Sequence, residues 1–201
     1  MRITQAAGYA EPRDSISHDW LDLLQIWDIE PYPIPNGIEG MEKFLDTIEP
    51  GIFILTGGDD PGTGDRRDRT EKQILEYAAA TNTPVLGVCR GLQAINLHFG
   101  GALGQVDGHV GVQHVVQIHA PFTEIYGGAA EVNSFHKSSV PASGLARTLI
   151  AAGVDQDGNI EALVHPSQPV AAIMWHPERG GAPAADRQLI ERLAREGAFW
   201  H

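Results

Sequence analysis

Apolar residues recur along the chain with two different periods. From Ile16 to Trp27 they fall at Ile16, Trp20, Leu23, Leu24 and Trp27, the spacing of one helix face, with Ser15 placed to cap the first turn. A short strand is expected ahead of this helix, and Met41 to Ile48 offers a second, shorter one. The run Gly51 to Thr56 is apolar until it meets Gly57 and Gly58, the form of a buried strand.

Asp68 followed three residues later by Glu71 has the form of a capping box and predicts a helix through about Ala80, with Ile74, Leu75 and Ala78 facing inward. Pro84 opens a strand over Val85 to Val88, and a helix from Arg90 to about His98 closes at Gly100 and Gly101. This alternation argues for a parallel sheet covered by helices.

The second half is patterned differently. Between His114 and Trp175 the apolar runs are short, rich in Val, Ile and Ala, and separated by Gly, Pro and Asp-Gly, which predicts hairpins or a mixed sheet. A final helix is expected from about Ala184 to Glu196. No repeat, low-complexity tract or linker divides the chain, so one domain spanning residues 1–201 is expected.

Composition narrows the functions available. With 201 residues, 42% of them hydrophobic, the chain can bury one sizeable core. Fourteen basic residues stand against 26 acidic ones, a net charge of −12, and no Lys/Arg cluster is suited to a phosphate backbone, so nucleic acid is not an expected partner. One cysteine leaves no internal disulfide. No apolar run is long enough for a membrane span, and a soluble protein in the reducing cytoplasm is the expectation.

That cysteine stands in a telling place. Gly87-Val88-Cys89-Arg90-Gly91 follows an apolar strand and opens a helix, the context of a nucleophile elbow, where flanking glycines permit a tight turn and close backbone packing. A thiol at a helix N-terminus is biased toward the thiolate, and the Arg90 amide could hold an oxyanion. A lone cysteine in apolar surroundings is otherwise an inert packing residue.

His176-Pro177-Glu178 ends the apolar run Val170 to Trp175. In an extended segment residues two apart project the same way, so Glu178 can orient His176, and Pro177 stiffens the spacing. Cys89, His176 and Glu178 together supply nucleophile, base and orienting carboxylate.

The segment GVCRGLQ, the downstream His-Pro-Glu and the preceding Gly-Gly-x-Asp turn resemble the class I glutamine amidotransferases, above all their γ-glutamyl hydrolase branch. The resemblance implies a flavodoxin-like, three-layer α/β sandwich with a central, mostly parallel sheet and a β-rich second half. It implies a Cys89-His176-Glu178 triad, oxyanion-hole amides from Gly58 and Arg90, and a glutamyl contact from Gln93. Asn133, Ser134, Phe135 and His136 fall in the segment whose backbone holds the amino-acid end of the substrate in that family.

The implied reaction is hydrolysis of a γ-glutamyl amide through a thioester, with release of glutamate, and it requires no cofactor. The substrate could be γ-glutamyl-γ-aminobutyrate or a nucleotide amidate such as γ-glutamyl-CDP-amidate. Arg66, Arg67 and Arg69 could meet a phosphate or form a solvated loop. Two alternatives stand beside this reading: a glutaminase subunit delivering ammonia to a synthetase partner, and a redox-sensing or non-enzymatic protein on the same fold. A homo-oligomer is a further expectation left open. No metal site is expected, because His109 and His114, five residues apart on a strand, would face opposite ways.

Overall fold

A computed structural model describes residues 1–201. The chain opens with an antiparallel hairpin, β1 (Arg2–Gln5) and β2 (Pro12–Ser15), rather than the single strand expected. Helix α1 (His18–Ile26) follows. Its cap is Ser17, not Ser15: the Ser17 hydroxyl accepts the Asp19 N–H at 3.2 Å, because Ser15 is taken up by the hairpin. Then come α2 (Met41–Ile48), β3 (Phe53–Leu55), α3 (Arg66–Thr81), β4 (Val85–Val88) and α4 (Arg90–His98).

The second half supplies β5 (Gly104–Gln105), β6 (Val110–Ile118), α5 (Thr123–Tyr126), β7 (Ala129–Phe135), β8 (Ser138–Ser139), β9 (Ile150–Val154), β10 (Ile160–Val164), β11 (Val170–Ile173) and α6 (Asp186–Glu196). Seven strands form one mixed sheet in the order β3-β4-β11-β10-β9-β6-β7. β3, β4 and β11 run parallel, and the remaining pairs are antiparallel. The parallel part is thus the βα-alternating portion plus one returning strand, and the antiparallel part is the β-rich second half.

Burial follows from this arrangement. β4, β10 and β11 lie inside the sheet and are buried at every position, as strands covered on both faces must be. Helices α3 and α4 pack on each other, α3 lies on β3, α4 lies on β3, β4 and β11, and α6 packs against β4. A single apolar cluster of 36 buried residues runs through the molecule. β6 instead leaves Val110, Val112 and Val115 exposed while burying Val116 and Ile118. No helix is long and apolar enough to cross a membrane.

Helix α3 begins three residues earlier than the capping-box pattern predicts. Its cap is Asp65, whose Oδ1 accepts the Asp68 N–H at 2.8 Å. Asp68 and Glu71 are thereby freed from capping. Glu71 Oε1 holds Arg67 Nε at 2.7 Å, Glu71 Oε2 pairs with Arg90 Nη1, and Asp68 Oδ1 accepts Arg90 Nη2 at 2.7 Å. This buried network bolts α3 to the start of α4, just beyond the cysteine.

Candidate active site

Cys89 sits between β4 and α4 with φ 51° and ψ −102°. A left-handed backbone on a residue with a Cβ costs on the order of 1–3 kcal/mol and persists only where the surroundings dictate it. Here the Cys89 N–H donates to the Ile173 carbonyl at 2.9 Å, and the Cys89 carbonyl accepts the Gln93 N–H at 3.2 Å. The flanking glycines are required by contact. A Cβ on Gly87 would lie 2.6 Å from Ile95 Cδ1, and one on Gly91 would collide with the Leu55 carbonyl oxygen. The elbow read from the sequence is present.

The state of the thiol differs from expectation. Cys89 is only 5% exposed, and burial pushes its pKa up to about 12, outweighing the Arg90 N–H and the Arg179 charge, which act in the opposite direction. Burial thus works against the thiolate that a helix N-terminus favours.

β11 lies beside β4 in parallel register, with Ile173 opposite Val88, so the chain leaves β11 next to the elbow. Three residues later comes His176, whose Nδ1 meets Glu178 Oε1 at 2.7 Å with both side chains buried. A carboxylate on Nδ1 holds the proton there and leaves Nε2 as the basic nitrogen. The ring is bounded by Gly57, where a Cβ would approach Cε1 to 2.6 Å, and by Phe135, edge-to-face at 5.8 Å. Cys89 and the His176-Glu178 pair therefore occupy neighbouring strand ends. The imidazole's side-chain hydrogen bond goes to Glu178 and not to the thiol.

The other residues singled out from the sequence divide in two. Phe135 stands in the open, with His176 against its ring and the Arg179 guanidinium 4.5 Å from its centroid. Ser134 and His136 are buried: Ser134 Oγ donates to the His109 carbonyl at 2.8 Å, and His136 Nδ1 lies 3.0 Å from the Ser138 carbonyl. Gln93 is buried as well and donates to that same Ser138 carbonyl at 2.8 Å, tying α4 to the segment after β7. Gly58 lies against Arg67, whose Nη1 occupies the space a Cβ would need.

Two expectations are overturned. Arg66, Arg67 and Arg69 do not form a loop: all three lie in the first turn of α3, with Arg66 and Arg69 exposed. Arg67 is buried against Glu71 and the carbonyls of Thr56 and Gly57, and Arg69 donates to the Gly64 carbonyl. Nor do His109 and His114 face opposite ways. The register of β6 shifts between Val110 and Val112, with Gly111 at φ 72°, and this bulge restores the two rings to one side, 4.7 Å apart.

One side-chain contact in the site does not follow from the sequence. Asn133 accepts the His176 N–H on Oδ1 at 2.9 Å and donates from Nδ2 to the His176 carbonyl at 2.9 Å. Its place in the segment Asn133 to His136 was visible, but no spacing in the sequence pairs β7 with the end of β11.

The fold, the strained cysteine elbow and the neighbouring His-Glu pair define a class I glutamine amidotransferase-like protein. The chain belongs to the Peptidase C26 family, whose model matches residues 33–178. It is 29% identical over 180 residues to the γ-glutamyl-CDP-amidate hydrolase of Campylobacter jejuni, covering 85% of this chain and 84% of that protein. It is 28% identical to anthranilate synthase component 2 of Saccharolobus solfataricus, over 85% of this chain and 89% of that one. Among solved structures, the glutaminase domain of Trypanosoma brucei CTPS with bound acivicin superposes with a TM-score of 0.69 at 16% identity, covering 90% of each chain. Hydrolase or amidotransferase activity on amides is thus supported at the level of the family.

Proposed function

We propose that this chain is a glutaminase, acting as one unit, that releases ammonia from the γ-carboxamide of glutamine for a synthetase partner. The observation that carries the chemistry is the strained Cys89 elbow beside the His176-Glu178 pair at the ends of adjacent strands. The likeness to an anthranilate synthase component over most of both chains favours a partnered glutaminase. The burial of Arg67 against Glu71 takes one of the three cations that pointed to a phosphate-bearing substrate out of reach.

In this reading Cys89 Sγ attacks the γ-carbonyl carbon. Because burial disfavours the thiolate, the thiol proton passes to His176 Nε2 as attack occurs rather than beforehand. The Arg90 and Gly58 amides hold the oxyanion. The C–N bond breaks as His176 protonates the departing ammonia, leaving a γ-glutamyl thioester. His176 then takes a proton from water, the hydroxide attacks the thioester carbonyl, the C–S bond breaks, and His176 returns the proton to Cys89 Sγ as glutamate leaves. The backbone of Ser134, Phe135 and His136 would hold the amino-acid end, and Gln93 supports that segment through Ser138.

A second reading, hydrolysis of a γ-glutamyl amide with a larger amine, is favoured by the Campylobacter relative and by a polar cleft beside Gly57, Gly58 and Glu178 that contains Arg2 and Arg179. The two are separated by measuring glutamate release from glutamine, γ-glutamyl-γ-aminobutyrate and γ-glutamyl-CDP-amidate with purified protein. The glutaminase reading expects glutamine to be hydrolysed at least as fast as the others. It fails if glutamine is inert while either of the others turns over.

A further inference from the structure

Behind the strand that carries Phe135, five side chains converge: His109, His114, His136, Asp155 and Glu161. Glu161 is the anomaly among them. It is 0% exposed, and neither carboxylate oxygen has a hydrogen-bond partner, a costly condition for a buried charge. Its nearest polar neighbours are His136 Nε2, 3.5 Å from Oε1, and His114 Nε2, 3.6 Å from Oε2. His109 Nδ1 lies 3.4 Å from His136 Nε2.

These gaps exceed a charge-assisted hydrogen bond, about 2.7–2.9 Å. The two that join His109, His136 and Glu161, at 3.4 and 3.5 Å, match the edges of a tetrahedron of ligands around an ion bound at roughly 2.0–2.2 Å, which are about 3.3–3.6 Å long. Donor atoms of His109, His136 and Glu161 all lie within 4.8 Å of one another. The outward-facing atom of each also lies near a polar group, within hydrogen-bond distance at His136. His136 Nδ1 faces the Ser138 carbonyl at 3.0 Å, His109 Nε2 faces Asp155 Oδ2 at 3.6 Å, and Glu161 Oε2 faces His114. Outer partners of this kind fix the tautomer of metal-bound histidines.

We propose that His109, His136 and Glu161 bind one divalent transition-metal ion of the zinc class, with solvent completing the coordination. A rival set, His109, His114 and Asp155, also brings its donor atoms together. Asp155 is already committed, accepting from the Asp157 and Asn159 amides and from the Asn159 side chain. Glu161 is not, which selects the first set.

The ion would join the segment before β6, the end of β7 and the start of β10. Ser134 Oγ and the His136 N–H both donate to the His109 carbonyl, at 2.8 and 3.0 Å, so the two segments are already clamped there. β7 also carries Asn133 and Phe135, the supports of His176, and the ion would brace them from behind.

The test uses untagged full-length protein stripped with a chelator and titrated with zinc against a chromophoric competitor, with metal content measured after gel filtration. The expected result is one zinc per chain, a rise in melting temperature on loading, and a visible spectrum of four-coordinate cobalt when Co²⁺ replaces zinc. His109→Gln and Glu161→Gln should each weaken zinc binding by about 100-fold or more, with folding of the stripped variants checked by circular dichroism. No stoichiometric zinc in folded wild-type protein, or unchanged affinity in both folded variants, overturns the proposal. If one variant fails to fold, the other and the wild-type cobalt spectrum still decide.

Discussion

Asn133 grips the backbone of His176 on both sides, its Oδ1 accepting the His176 N–H and its Nδ2 donating to the His176 carbonyl, each at 2.9 Å. The proposed base is therefore held by a side chain from β7, a strand at the far edge of the same sheet. Nδ2 also reaches the carbonyls of Arg179 and Gly180, at 3.3 and 3.2 Å, so the whole turn after β11 hangs on one amide.

Replacing Asn133 by Ala should leave the fold intact but let this turn drift. Misplacement of a catalytic group by about 1 Å can cost on the order of 100-fold in rate. The expected outcome is a fall in kcat of about 10- to 100-fold with KM changed much less, measured by steady-state glutamate release. An unaltered kcat would remove Asn133 from any positioning role.

The buried thiol makes its own prediction. With its pKa pushed up to about 12 by burial, Cys89 should react with iodoacetamide slowly at neutral pH, and the rate should climb about tenfold per unit through pH 8 to 10 without levelling. A plateau near pH 8 or 9 would show an exposed or activated thiolate instead.

Glu71 holds two buried guanidiniums, those of Arg67 and Arg90. Removing the shared carboxylate leaves Arg67 with no paired carboxylate and Arg90 with Asp68 alone, and breaking a buried pair in this way typically costs about 3–5 kcal/mol. Glu71→Ala should lower stability by that order in urea denaturation. A loss under 1 kcal/mol would mean that the arginines find water or other partners.

Asp186 should contribute a pH-dependent component of stability. It is 1% exposed, and burial raises its pKa from 3.8 to about 7, against hydrogen bonds from Trp175 Nε1 and Tyr126 Oη that favour the charged form. A raised pKa means that the folded state keeps a proton the unfolded state has lost. The contribution is complete below pH 3.8, declines as pH rises toward 7, and is absent above it. Compared with wild type, Asp186→Asn should show a shallower fall in stability between pH 4.5 and 7.5. Parallel curves for the two proteins would refute the assignment.

Much of the site could be read from local pattern because its elements are local. The strand-cysteine-helix elbow spans five consecutive residues, and His176 and Glu178 are two apart, so contiguous geometry defines both. The helix over Met41 to Ile48 and the one from Arg90 to His98 were legible for the same reason. Asn133 with His176, and Glu71 with Arg90, depend on contacts between distant segments. The His109-His114 relation was misread because a single bulge at Gly111 breaks the two-residue period on which the inference rested. Asp65 outcompeted Asp68 as the α3 cap, and that shift of three residues converted an apparent arginine loop into a helical turn with a buried ion pair.

Every step of the proposed reaction depends on Cys89 as the nucleophile in γ-glutamyl amide hydrolysis. The most direct test of that role is glutamate release from glutamine and the γ-glutamyl amides by wild-type protein and by Cys89→Ala, with circular dichroism confirming that the variant is folded. The expected result is release by the wild type and none above background by Cys89→Ala. Equal rates from the two proteins would contradict it.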